Sequence, residues 1–87
     1  MNIQLLKDQV RAAFADVESS EFLQMQIEKE AKKHRRNFSE FHAKNPGITF
    51  EEWRQKLEAS VDMHNTKDRM AIGVFLLALD ELNHENL

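Results

Sequence analysis

The sequence has no cysteine and no tyrosine, and its 87 residues include only one proline and two glycines. Without cysteine there are no disulfides, thiolate metal sites or thiol nucleophiles, which fits a reducing compartment. Alternating runs of β-branched residues are also missing, so no strand is predicted. The longest apolar run, 70–79, is about half of the ~20 residues that a membrane-spanning helix needs. The amino terminus has no basic start followed by a long apolar run, so no signal peptide is predicted. We therefore expect a cytoplasmic protein with no membrane partner.

Helical periodicity is what the sequence does contain. Apolar residues recur at intervals of three and four over 3–17, which predicts a first amphipathic helix. Ser19 or Ser20 is a candidate N-cap for a second helix, predicted over about 21–44. The near-heptad apolar seam of this helix includes His34. A helix of about 24 residues is roughly 36 Å long, which makes it the longest element of the predicted fold.

A turn and a strong helix start follow the second helix. The sequence 46–47 is Pro-Gly, which predicts a turn. Thr49 and Glu52 then have the spacing of a capping box, while Ile48 and Trp53 have the spacing of a hydrophobic staple. The third helix is therefore predicted to begin directly after Thr49.

The last helix is predicted over about 67–83, with Asn65 or Thr66 as its N-cap, although one continuous helix over 50–83 also fits. Its run 70–79 has no polar face. Either the other helices enclose this run within one chain, or a partner such as a second copy covers part of it. The predicted fold is a compact all-α bundle of three or four helices, in which the whole chain forms one domain.

Charge is unevenly distributed along the chain. Segment 28–36 contains five cations and two anions, a net charge of +3 in a chain of −3, so the remaining residues carry −6. At about 100° per residue, four cations form a basic stripe opposite the apolar seam of the second helix: Lys29, Lys32, Lys33 and Arg36. Acidic residues form an edge on the third helix: Glu51, Glu58 and Asp62. Both features fit either contact with a charged partner or an ordinary solvated surface.

Chemical sites are harder to find. His34 interrupts an apolar seam, and burial would disfavour its charged form. Glu81 and His84 have the Glu-x-x-His spacing of helical di-iron sites, but such sites need further carboxylates on other helices. No glycine-rich phosphate loop or complete nucleophile, base and orienting group is present. We therefore predict no catalytic residues, no cofactor, no metal site and no enzymatic activity.

A few apolar residues are predicted to exceed what a small bundle hides and to contact a partner: Phe22, Ile72, Phe75, Leu76 and Leu79. With the basic stripe and the acidic edge they form the predicted partner-binding set. The predicted function is that of a small non-enzymatic protein-interaction module, such as a regulator, adaptor or stoichiometric inhibitor of a larger protein, which also forms a homodimer. Nucleic-acid binding through the basic stripe and metal binding by a helical site are the alternatives.

Overall fold

A computed structural model of the chain describes residues 3–61 and 68–83. Over these two ranges it contains helices and no strand, which confirms the all-α prediction. The helices are α1 (Ile3–Ala13), α2 (Val17–Lys44), α3 (Phe50–Ala59) and α4 (Arg69–Asn83). The third and fourth helices are therefore separate, and the continuous alternative is wrong. The predicted caps of the last helix, Asn65 and Thr66, lie outside the described residues, as do Asp62, His64 and His84.

The second helix is the longest, as predicted, but it begins four residues earlier, at Val17. Its N-cap is Asp16 instead of Ser19 or Ser20. The Asp16 carboxylate accepts hydrogen bonds from Ser19 Oγ at 2.6 Å and from Ser19 N at 2.9 Å. These bonds lower the pKa of Asp16. The three polar residues are all good N-caps, and extended backbone at Asp16, with φ −78° and ψ 164°, decides between them.

The third helix begins as predicted. Thr49 Oγ1 accepts a hydrogen bond from Glu52 N at 3.1 Å. Ile48 packs against the small core cluster that contains Phe38 and Trp53. The cap and this apolar contact fix the direction in which the chain leaves the turn, and they hold α3 against α2.

The last helix, α4, lies at the centre of the bundle and contacts each of the other three helices. Leu76, Leu79 and Leu82 are fully buried, with 0% of each side chain exposed. One chain therefore encloses the C-terminal half of α4 without help from a second copy. Leu76 and Leu79, which the sequence placed on a partner surface, are core residues in this fold, because α1, α2 and α3 together surround their part of the helix.

The first helix packs against α4 through Leu6 and Val10. Lys7, the only buried lysine within 3–61 and 68–83, reaches across the same contact, and its Nζ lies 2.9 Å from the Asp80 carboxylate. Because Lys7 follows Leu6 directly and precedes Val10 by three positions, it falls on the buried side of α1. Val17 was predicted to lie on the apolar seam of α1 but is exposed, because α1 ends before it.

Gly73 sets how closely α1 approaches α4. A Cβ placed at Gly73 would lie 3.3 Å from Val10 Cβ and well inside van der Waals contact of Val10 Cγ2. The flank of α4 therefore has no room for a side chain at this point. A glycine within a helix usually lowers stability, so its presence here is explained by packing.

We predict that Gly73→Ala lowers the free energy of unfolding by about 1–3 kcal/mol through overpacking, although alanine is favoured over glycine in a helix by about 1 kcal/mol. Urea unfolding followed by circular dichroism measures the change. Val10→Ala removes the Cγ atoms that the new methyl group meets. The substitution at Gly73 should therefore cost clearly less in a Val10→Ala background, and strictly additive effects would contradict the close contact.

Candidate functional site

An apolar groove of about 700 Å³ lies between the N-terminal halves of α2 and α4. A groove of this volume is within the range of ligand-binding pockets. Its lining comes from the α1–α2 connection, from α2, from the end of α3 and from α4, and most of it is apolar: Phe14, Phe22, Leu23, Gln26, Glu30, Ser60, Val61, Met70, Ala71, Ile72, Val74 and Phe75.

Incomplete coverage of α4 produces the groove. The C-terminal half of α4 is buried, but in its first two turns Met70 is 44% exposed and Ala71 is exposed. Ile72 and Phe75, which the sequence placed on a partner surface, are half-buried and line the groove. Because α3 ends at Ala59, no helix within the described residues covers this side of α4.

The α2 side of the groove carries exposed apolar side chains. Phe22, also predicted as a partner contact, is 54% exposed, and Met25 one turn further is 57% exposed. The ring of Phe22 stacks on that of Phe14, with centroids 6.3 Å apart and planes 20° apart. Stacking limits the positions that Phe22 can take, so the ring forms a fixed wall of the groove.

Glu30 brings a carboxylate into this apolar lining and lies beside a buried histidine. Glu30 Oε1 is 3.7 Å from Nε2 of His34, whose side chain is almost completely buried. The imidazole packs edge-on against Phe75, with centroids 4.6 Å apart, and against Trp53. Its Nε2 has no hydrogen-bond partner among the described residues.

Burial lowers the pKa of His34 below its ordinary value of 6.5. Glu30 raises this pKa, Lys33 lowers it, and a backbone hydrogen bond with Phe75 raises it, but burial has the largest effect. His34 is therefore neutral at pH 7, and its contact with Glu30 is not an ion pair there. A neutral imidazole among aromatic rings acts mainly as a packing residue of the core.

We predict that the free energy of unfolding decreases as the pH falls below 6.5. In the unfolded chain His34 binds a proton near pH 6.5, whereas in the folded protein it binds a proton only at lower pH. The stability that neutral His34 contributes is therefore complete above pH 6.5 and is lost as the pH falls through the folded pKa. Urea unfolding at a series of pH values, from neutral pH down to the range where carboxylates titrate, measures the slope of the unfolding free energy against pH. His34→Gln should flatten it, while His42→Gln, at an exposed position, should not. An unchanged slope in His34→Gln would contradict this role.

The basic stripe predicted from the sequence lies on the outer face of α2. Its four residues are all exposed, and none forms an ion pair within 3–61 and 68–83: Lys29, Lys32, Lys33 and Arg36. The opposite face of the helix, with Ile27, Ala31 and His34, is buried. The predicted division of α2 into a buried seam and a charged face is therefore present, while the partner of that face stays a prediction.

The acidic edge is weaker than its formal charges suggest. Arg54 lies between Glu51 and Glu58 on α3 and binds both, with Nη1 at 2.6 Å from Glu58 Oε1. The hydrogen bond from Arg54 is the main cause of a lowered pKa of Glu51. Glu51 and Glu58 therefore share the positive charge of Arg54, and the three residues together carry a net charge of −1. The spacing of three and four residues around Arg54 was a signal for this in the sequence.

Sequence reasoning missed several lining residues, of which Met70, Ala71 and Gln26 are the clearest examples. Met70 and Ala71 were counted in an apolar run whose exposed part the sequence does not reveal. Gln26 follows Phe22 by four residues on α2, so helical spacing alone places it on the same wall.

Over 3–61 and 68–83, no group of three or more histidine, aspartate or glutamate side chains is placed to share a metal ion. Of the predicted Glu-x-x-His pair, Glu81 lies in α4 and His84 lies outside the described residues. None of the described helices is both long and apolar enough to cross a membrane.

Comparison of the chain with known protein families, with curated proteins and with solved structures gives no match. The groove and the charged face of α2 are therefore the features of the chain that bear on its function.

Proposed function

We propose that the protein is a small non-enzymatic interaction module that binds another protein in the groove between α2 and α4. The observation that carries this proposal is the clustering of half-exposed apolar side chains around one concave surface, with Phe22 on one wall and Met70 on the other. Single exposed apolar residues are common in soluble proteins, but contiguous apolar patches mark interfaces.

The expected gain from covering this surface is large enough to matter. Full burial of a phenylalanine or methionine side chain is worth about 1.5–3 kcal/mol. Phe22 and Met70 are each about half exposed, so a partner that covers both gains roughly 1.5–3 kcal/mol from them, before further contacts with Ile72 and Phe75. Aromatic and methionine side chains are also enriched at protein interfaces.

A module of this kind acts by occupying a surface of its partner, as a regulator, adaptor or stoichiometric inhibitor does. The absence of cysteine is consistent with the cytoplasmic location that we propose for it. Formation of a homodimer through the same groove is the other arrangement that fits exposed apolar side chains at this place. Sedimentation velocity distinguishes a monomer from a dimer directly.

We predict that Ala71→Arg weakens partner binding and leaves the fold intact. Ala71 is exposed and lines the groove, so arginine there projects a large charged group into the apolar surface without entering the core. Partners are captured from the source cell with the wild-type chain and then purified, and their direct binding to each variant is measured by calorimetry. We expect at least a tenfold weaker affinity for Ala71→Arg, about 1.4 kcal/mol or more.

The matched control is Ala12→Arg, which introduces the same side chain at an exposed position on α1 outside the groove. Its affinity should equal that of the wild-type chain, and both variants should keep the wild-type melting temperature. A partner that binds the wild-type chain and Ala71→Arg equally well would show that the groove is not the interface. If no purified protein binds and the chain is monomeric, the proposed function is wrong.

A further inference from the structure

The exposed face of α2 changes from apolar to basic side chains along the helix axis. Five of its exposed residues follow one another at steps of three, four, three and four, so they form a single row, and the exposed Glu18 and Glu40 lie one turn beyond its two ends. The row begins with two apolar residues and continues with three cations: Phe22, Met25, Lys29, Lys32 and Arg36. At 1.5 Å per residue the row is about 21 Å long, with an apolar end and a basic end.

Two lysines of the basic stripe border the groove. Gln26 and Glu30 form the groove wall, and Lys29 and Lys33 each follow one of them by three positions on the solvent side. Residues three apart on a helix are neighbours, so these two ammonium groups stand along the rim. The groove and the row share Phe22 and together form one continuous surface.

Since the groove is the proposed binding site, its occupant must match this surface. We infer that the occupant is an amphipathic α-helix of a partner protein, with apolar side chains at one end and aspartate or glutamate side chains at the other. The apolar end enters the groove beside Phe22 and Met70. The acidic end lies along α2 and pairs with the four residues of the basic stripe. This inference depends on the proposed function, and it adds the shape and charge of the partner.

Charge complementarity favours a helix of this kind. None of the four cations forms an ion pair within the described residues, although Glu28 and Glu40 lie four positions from Lys32 and Arg36, so all four can pair with an acidic partner. A helix about 14 residues long spans the row, and helices that lay an apolar face in a groove are a recurrent mode of recognition.

Other occupants match the surface less well. A nucleic acid offers phosphates to the basic end but no aliphatic side chains for the apolar groove, and the chain as a whole is acidic, with a net charge of −3. A second copy offers Glu51 and Glu58, but both are bound to Arg54, and the apolar face of α3 is turned inward at Trp53.

The experiment is a selection of displayed helices against the full-length chain. The library consists of 18-residue helices with leucine, phenylalanine or methionine at two anchor positions near one end. All remaining outward positions are randomised among glutamate, glutamine and lysine. Recovered helices are synthesised, and their affinities are measured for the wild-type chain, for Ala71→Arg and for a variant in which all four cations of the basic stripe are changed to glutamine. Glutamine keeps helix propensity, and the positions are exposed, so the quadruple variant should keep the wild-type melting temperature.

The expected result has three parts. The helices that bind the wild-type chain carry glutamate in the half away from their anchors. Their affinity falls about tenfold or more in the quadruple variant and also falls with added salt, because these contacts are exposed ion pairs. Ala71→Arg abolishes their binding, while Leu5→Ser, at an exposed apolar position on α1, leaves it unchanged.

Three results would overturn the inference, and they separate it from the proposed function. If the selected helices bind through the groove but show no preference for glutamate over lysine, the acidic character inferred for the partner is wrong, while the groove remains the binding site. Tighter binding of a 20-nucleotide DNA, or of vesicles with anionic lipid, than of any selected helix would assign the basic end to a different class of partner. If no recovered helix binds Ala71→Arg more weakly than it binds the wild-type chain, the groove is not the binding site for a helix.

Discussion

Burial of an apolar helix governs this fold. Helix α4 has no polar face over most of its length, so water must be excluded from its whole circumference. The described part of this small chain provides three other helices with which to do so. Its C-terminal half meets this requirement, with Leu76, Leu79 and Leu82 fully buried. The close approach of α1 at Gly73 is part of the same solution, since it brings the covering helix nearer to α4.

Water is only partly excluded from the N-terminal half of α4, and the candidate site lies there. The side chains of Met70 and Ile72 remain accessible beside an α2 that is longer than the helix it covers. Stability and proposed function are thus connected, because the part of α4 that the other helices leave uncovered is the part that we propose contacts a partner.

Local signals in the sequence were sufficient for the start of α3 and for the charged face of α2. Thr49 was identified as a cap because its bond to Glu52 depends on residues only three apart. The start of α2 was misplaced because Asp16, Ser19 and Ser20 compete as caps, and the choice depends on backbone geometry. The exposure of Met70 against the burial of Leu79 could not be predicted, since both belong to one apolar run and only tertiary packing distinguishes them.

The most direct test of this account is a map of the bound surface by NMR. A uniformly ¹⁵N-labelled chain is titrated with its purified partner helix, and the amide shifts are followed residue by residue. We predict that the large shifts concentrate in 22–36 of α2 and 70–75 of α4, with small shifts in 4–9 of α1 and 51–56 of α3. Large shifts in α1 and α3 with none along the groove would contradict the account.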